Sequence, residues 1–346
     1  MKSRFSASAK TSPEKNKVGV LLTNLGSPDA PTAKALRVYL REFLSDPRVV
    51  EIPRLIWLCI LHGIILRIRP AKSAKLYESI WQDEGAPLIT ISQKQQQKIQ
   101  QILTKEYGDN VVVELAMRYG NPSISSALRS FQQQGISHLV ILPLYPQYAS
   151  PTTGSTFDAL SQEIKQWRWV PTLHFLSGYH TNKGYISALA NSVIEHINEH
   201  GVPDKLVLSY HGMPEAFREW GDPYYDMCIE TTSLLSAELM QKTTLLENTI
   251  ISTFQSRFGK APWLQPYTDE TLSELPAQGN KHIAILSPAF SADCLETLEE
   301  LVHENREIFI EAGGEQYHYI TALNDRDDHV NALVDVIKPS LYSIKK

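Results

Sequence analysis

One ordered set of motifs occurs twice in this chain, and it constrains the fold more than any other feature. An apolar run closes on Gly26-Ser27-Pro28 (VLLTNLGSP), and another closes on Gly212-Met213-Pro214 (LVLSYHGMP). Arg118-Tyr119-Gly120 then stands 20 residues before HLVIL (138–142), and Arg257-Phe258-Gly259 stands 25 before HIAIL (282–286). Three echoes in one order read as an internal duplication. Short β-rich runs predict strands at 18–25, 111–117, 138–144, 172–176, 205–211, 249–254 and 282–288. Their near-continuous hydrophobicity fits strands covered on both faces, with room for crossover helices between most of them. The expected fold is therefore α/β: two similar domains with parallel sheets, joined near residue 170. Ligands of open α/β sheets bind beyond the carboxyl ends of strands. An inter-domain cleft lined by Asn24, Leu25, Arg118, Tyr119, Tyr145–Tyr148, His211 and Ser287–Cys294 is where chemistry is expected.

Composition narrows the function. The 346 residues are 42% hydrophobic and 21% charged, as in folded soluble proteins. With 33 basic against 38 acidic residues the chain lacks the basic balance of a nucleic-acid binder. Three scattered cysteines, Cys59, Cys228 and Cys294, cannot frame disulfides and suit a reducing compartment. Residues 1–16 hold no apolar core of a secretory signal and read as a disordered leader. The most apolar stretch, LIWLCILHGIIL (55–66), is too short for a bilayer span, which needs roughly 20 residues. It reads either as a buried helix or as an exposed apolar lip, within an insertion at about 45–95. Arg67, Arg69, Lys72 and Lys75 follow it, as in interfacial contacts with anionic lipid.

Two groups of residues could carry chemistry. His211 ends a predicted strand before a glycine turn, a position that faces ligands, and its near-neutral pKa suits proton transfer or metal ligation. The segment 291–304 (SADCLETLEELVHE) predicts a helix capped by Ser291 or Asp293, with Asp293 and Glu296 as a capping box. Leu295, Leu298 and Val302 form its expected apolar stripe. Asp293, Glu296, Glu300 and Glu304 share another face, either a solvated acidic surface or a row that binds a divalent cation or relays protons. The chain has no G-x-G-x-x-G, Walker loop, C-x-x-C, H-E-x-x-H or G-x-S-x-G.

With these residues in view, the chain resembles the ferrochelatases, most closely the proteobacterial type, from about Val18 to its C-terminal region. The motifs are NLGSPDAPT (24–32), FLSDPRVV (43–50), LPLYPQYASPTTGS (142–155), LSYHGMP (208–214), TFQSRFGKAPWLQPYTDETL (253–272) and FSADCLETLEEL (290–301). The resemblance implies two Rossmann-like, chelatase-type domains. It implies a lyase that inserts Fe2+ into protoporphyrin IX with release of two protons, closing haem biosynthesis. The family's catalytic and metal-binding pair falls on His211 and Glu296. Porphyrin-binding positions fall on Asn24, Leu25, Arg69, Tyr77, Arg118, Tyr119, Tyr148 and Phe290. Asp293, Glu300 and Glu304 extend a proton or metal path.

The chain departs from the family at Cys294, where some relatives carry a second histidine, at Leu25, where others have Met or Tyr, and at Ala86, which replaces a serine. No cysteine follows Cys294, so no iron–sulfur cluster and no tightly bound cofactor are expected, and Fe2+ is a substrate. The expected domains are the leader (1–16), an N-terminal α/β domain (17–170) and a C-terminal α/β domain (171–346) whose last helix packs back on the first. The expected location is cytoplasmic, peripheral to the inner membrane through the lip. The competing readings are a chelatase for another metal or tetrapyrrole, and a non-catalytic porphyrin carrier.

Overall fold

The computed structural model describes residues 5–6, 17–259 and 261–341. Apart from Phe5 and Ser6, the expected leader lies outside the described residues. Ser6 donates its N–H to the Gln166 carbonyl and accepts from the Arg168 N–H. The chain divides into two compact units: one runs to Gly178 and takes in the chain from Leu333, and the other is Tyr179–Ala332.

The first unit is built on β1 (Val18–Asn24), β2 (Val111–Met117), β3 (His138–Pro143) and β4 (Thr172–Phe175), all parallel, in the order β2-β1-β3-β4. The second repeats that plan with β5 (Lys205–His211), β6 (Ile250–Gln255), β7 (His282–Leu286) and β8 (Gln316–Tyr319), in the order β6-β5-β7-β8. Each core forms where strand side chains meet crossover helices. Leu21, Ala116, Leu139 and Ile141 pack with Leu128, Phe131 and Leu160 in the first unit. Val207, Ile283 and Ile285 pack with Leu272, Leu301 and Phe309 in the second. The chain reverses strand order between β1 and β3, and between β5 and β7. The crevice at such a switch point is where doubly wound sheets hold ligands.

The two units also repeat a close approach just past that point. Gly26, at φ +107°, passes the Tyr119 carbonyl so closely that a Cβ would stand 1.9 Å from its oxygen. A Cβ on Gly212 would stand 2.5 Å from the Gln255 carbonyl oxygen, to which its own N–H donates at 2.8 Å. Both glycines of the Gly-x-Pro echo are thus fixed by the chain that leaves the neighbouring strand. The echo of the arginines is looser. Arg118 follows β2 directly, whereas Ser256, at φ +65°, intervenes between β6 and Arg257.

The apolar stretch near residue 60 is a lip rather than a buried helix. Arg54–Ile60, a π-helical turn at Leu61–Ile65 and Leu66–Ile80 run on end to end. Leu55 is 82% exposed, and Ile56, Ile64 and Ile68 are each more than half exposed. Trp57 and Leu61 turn inward and anchor the lip, the Trp57 indole N–H donating to the Leu44 carbonyl at 2.6 Å. No described helix is long and apolar enough to cross a membrane.

Candidate active site

His211 closes β5 at the switch point of the second sheet. Leu206, Leu208 and Tyr210 bury the strand up to it, and Gly212 turns the chain away. The imidazole lies edge-on to Phe290, with ring centroids 6.3 Å apart and planes at 90°. Its buried Nδ1 has no hydrogen-bond partner among the described residues. Burial pushes its pKa down, and the negative charge of Glu296 pulls part of the way back, leaving it below the ordinary value. Near neutral pH the ring is therefore uncharged, with a lone pair free for a proton or a metal ion.

Glu296 opens a nine-residue π-helical stretch, Glu296–Glu304, that passes into an α-helix at Asn305–Glu311. The expected α-helix with a capped start is thus replaced by a wider turn. Its inward face is Thr297, Leu301, Asn305 and Phe309, four residues apart, while Leu295, Leu298 and Val302 are only half-buried. The wide helix persists because side chains serve its carbonyls. Gln255 Nε2 donates to the Glu296 carbonyl (2.9 Å), Asn305 Nδ2 to that of Glu300 (3.0 Å) and the Tyr317 hydroxyl to that of Leu301. At its start the Cys294 N–H donates to Thr297 Oγ1 (3.0 Å), so Cys294 and Thr297 form the reciprocal start, not Asp293 and Glu296.

The acidic row divides by environment. Asp293 is buried, and its oxygens accept from Thr297 Oγ1 (3.0 Å), the Tyr319 hydroxyl (2.6 Å) and Asn324 Nδ2 (2.7 Å). It ties the loop after β7 to the loop after β8, with its lone pairs engaged there. Glu300 is half-buried and accepts from the Ser256 N–H (2.7 Å) and hydroxyl and from Gln255 Nε2 (3.2 Å). Burial, ahead of the opposing hydrogen bonds, pushes its pKa up to about 7. Glu304 is exposed. Glu296, Glu300 and Glu304 therefore lead, at four-residue steps, from beside His211 to solvent. The Cys294 thiol is buried, and burial, then Glu296, holds it protonated.

The first unit carries Asn24 and Leu25 at the end of β1, and Arg118 and Tyr119 just past β2. Asn24 is buried, its Oδ1 accepting from the Leu25 N–H (2.8 Å) and its Nδ2 donating to Ser92 (3.3 Å), and it presents Leu25 half-exposed. Arg118 donates to Ser155 Oγ (2.6 Å) and to Asp46, and lies over the Tyr119 ring at 4.4 Å. Tyr119 is fully buried, its hydroxyl donating to Asp46 (2.9 Å). Its side chain offers a ligand no surface here and instead supports Arg118. Burial alone would raise the Asp46 pKa; Ser155, the Arg48 N–H and Arg118 together hold it below the usual carboxylate range. Asp46 and Ser155 lie in sequence motifs noted above without a role. Only the fold, which brings Asp46 across 72 residues to Arg118, assigns them one. Gln255 and Ser256 are the corresponding omissions of the second unit. Tyr148 is half-buried near Gly154. Tyr77 is buried on the lip, edge-on to Trp81 at 6.3 Å, and Arg69 is exposed there.

The family model described as Ferrochelatase matches residues 17–341. A protein of Shewanella oneidensis named ferrochelatase 2 is 58% identical over 94% of this chain and 98% of its own length. The ferrochelatase of Shewanella denitrificans is 57% identical over 95% of this chain and 99% of its own. Among solved structures, the sirohydrochlorin chelatase SirB of Bacillus subtilis subspecies spizizenii, in complex with cobalt, superimposes with a TM-score of 0.52. That match covers 94% of this chain and 96% of SirB, and at 10% identity it is a likeness of fold alone.

The raised pKa of Glu300 has a measurable consequence. A carboxyl whose folded pKa exceeds its unfolded value stabilises the fold fully below the unfolded pKa, and that contribution is lost as pH rises through about 7. Glu300→Gln keeps an acceptor for Ser256 and removes the charge. Between pH 5 and pH 8 its melting temperature should gain on the wild type by about 2–5 °C in scanning calorimetry. A difference that stays constant over that range contradicts the burial of an ionisable Glu300.

Proposed function

The chain belongs to the ferrochelatase family, and on that premise we propose that His211 and Glu296 are its catalytic pair. The enzyme inserts Fe2+ into protoporphyrin IX, the closing reaction of haem biosynthesis, with release of two protons. One observation supports the assignment above others. A half-buried, uncharged imidazole, its buried Nδ1 unpartnered among the described residues, stands at the switch point of a sheet, within the field of a carboxylate.

In this reading the neutral His211 ring takes a pyrrole proton, and Glu296 stabilises the imidazolium that forms. The same two groups, imidazole and carboxylate, can hold Fe2+ as it enters. His211 passes its proton to Glu296, which regenerates the neutral ring for the second, and each proton goes on to Glu300, whose pKa of about 7 suits it to accept and release protons near neutral pH. Glu304 delivers it to solvent. Asp293 fixes the loop that carries Glu296. A planar porphyrin shields its pyrrole N–H groups, so binding energy from the apolar ring face is needed to bend it. Phe290 in the second unit and Leu25 in the first, each half-exposed beyond a strand end, are suited to such contacts. The Arg69 guanidinium, exposed and without an ion pair among the described residues, suits a propionate carboxylate. Arg118 contributes through an orientation set by Asp46, Ser155 and Tyr119. No tightly bound cofactor enters the scheme. Three cysteines, one exposed and two buried, fall short of the four thiolates of a typical iron–sulfur cluster.

The lip extends the reading to the membrane. Leu55, Ile56, Ile64 and Ile68 are exposed, and Arg67, Arg69, Lys72 and Lys75 form no ion pair among the described residues. Apolar anchors beside free cations favour peripheral binding to anionic lipid, from which an apolar porphyrin can be drawn.

Two measurements check these assignments. In an anaerobic assay with Fe2+ and protoporphyrin IX, His211→Ala and Glu296→Gln should each lower kcat by at least about 100-fold while porphyrin still quenches tryptophan fluorescence. Wild-type turnover in His211→Ala removes His211 from the mechanism. In flotation with vesicles containing phosphatidylglycerol, the wild type should rise with the lipid and Leu55→Ser/Ile56→Ser/Ile68→Ser should not. Equal flotation of the two moves the contact elsewhere.

A further inference from the structure

We propose that His196, His200, His282 and His318 form a second metal site, for a divalent transition ion of the imidazole-preferring class, such as Zn2+, Ni2+ or Co2+. All four belong to the second unit, at the amino end of its sheet, whereas His211 stands at the carboxyl end. His282 begins β7, His318 lies in β8, and His196 and His200 occupy the last turns of the helix Lys183–His200. His318 is the hub. Its ring centroid lies 4.5 Å from that of His200, 5.2 Å from His196 and 5.4 Å from His282, and His196 and His200 are 4.6 Å apart.

Imidazoles on one tetrahedral ion, at metal–nitrogen distances of about 2.0–2.1 Å, hold their ring centres about 5 Å apart. The three spacings among His196, His200 and His318 are already of that size, and His282 adjoins them through His318. Among the described residues no three ligating side chains are gathered on one point as they stand, so closure requires rings to turn about χ2. That turn breaks no hydrogen bond at His196 Nε2 or His282 Nε2, both buried and unpartnered. His196 is 91% buried. Burial first, and then the neighbouring imidazoles, push its pKa down to about 4 and lower that of His318. His196 and His318 are thus held uncharged near neutral pH, the form that binds a metal ion.

His200 is exposed and opens the cluster to solvent, and Glu199 Oε2 lies 3.8 Å from its Nε2 as an available anion. The other nearby charges are already committed. Lys281 pairs with Glu315 at 2.8 Å, and Asp204 accepts from the Lys281 and His282 N–H groups. The cluster is not a by-product of the duplication. His138, which begins β3 as His282 begins β7, contacts Ser137 and has no imidazole packed on it among the described residues.

The test titrates Zn2+ into the full chain by calorimetry at pH 7.5, in the wild type and in His211→Ala, so that ion held at the proposed catalytic site is counted separately. His211→Ala should still bind one equivalent, and adding His318→Gln or the exposed His200→Gln should weaken that equivalent by at least tenfold. Fe2+ insertion measured in His318→Gln and His200→Gln with His211 intact should stay at the wild-type rate, which shows that they fold. Shifts of the imidazole Hε1 resonances of His196, His282 and His318 on addition of one Zn2+ would locate the ion. If His211→Ala binds no Zn2+, or binds it equally with and without His318 and His200, the cluster is a packed histidine stack and the proposal fails.

Discussion

The carboxamide of Gln255 joins the two elements that carry the proposed catalytic pair. Its Oε1 accepts from Ser209, two residues before His211 on β5, at 2.8 Å. Its Nε2 donates to the Glu296 carbonyl and to Glu300, and its own carbonyl takes the Gly212 N–H. One side chain at the end of β6 thus sets the spacing between a strand end and a π-helix. A buried, doubly satisfied amide has few alternative arrangements, because leaving either end unpaired is costly. The imidazole of His211, by contrast, is left with a free nitrogen. The surroundings are rigid and satisfied so that one group is not, which is the usual division of labour in a preorganised site.

The two units show how a duplicated fold takes on different work. Both place a glycine against the carbonyl leaving the neighbouring strand, and both reverse strand order at the same place. In the first unit the residue after β2 is Arg118, locked by Asp46 and Ser155 over Tyr119. In the second, Ser256 takes the place after β6 and donates to Glu300, while the echoed Arg257 moves to the surface and pairs with Asp269 and Glu270. A one-residue offset therefore turns a cationic position into a carboxylate-binding one.

The strand plan was legible in the sequence because buried parallel strands are continuous apolar runs. Strand β8 escaped because QYHY is a four-residue edge strand with no such run. The position of His211 at a strand end was equally legible. The π-helix was not: Leu295, Leu298 and Val302 suggest an α-helical stripe, and the wider turn depends on Gln255, Asn305 and Tyr317, which the local pattern cannot reveal. Asp293 reads as a helix cap from its neighbours, yet its partners Tyr319 and Asn324 lie 26 and 31 residues on. Whether 55–66 was buried or exposed was undecidable from composition, since Trp57 and Leu61 bury one side of a stretch whose other side is bare.

In the proposed mechanism His211 and Glu296 act as one unit. A double-mutant cycle on the single-turnover rate of Fe2+ insertion, with His211→Ala, Glu296→Gln and the double variant, tests it directly. The double variant should be no more than about tenfold slower than the slower single variant, because either change alone disables the pair. If the two losses multiply in full, the residues act independently and the coupled site described here is contradicted.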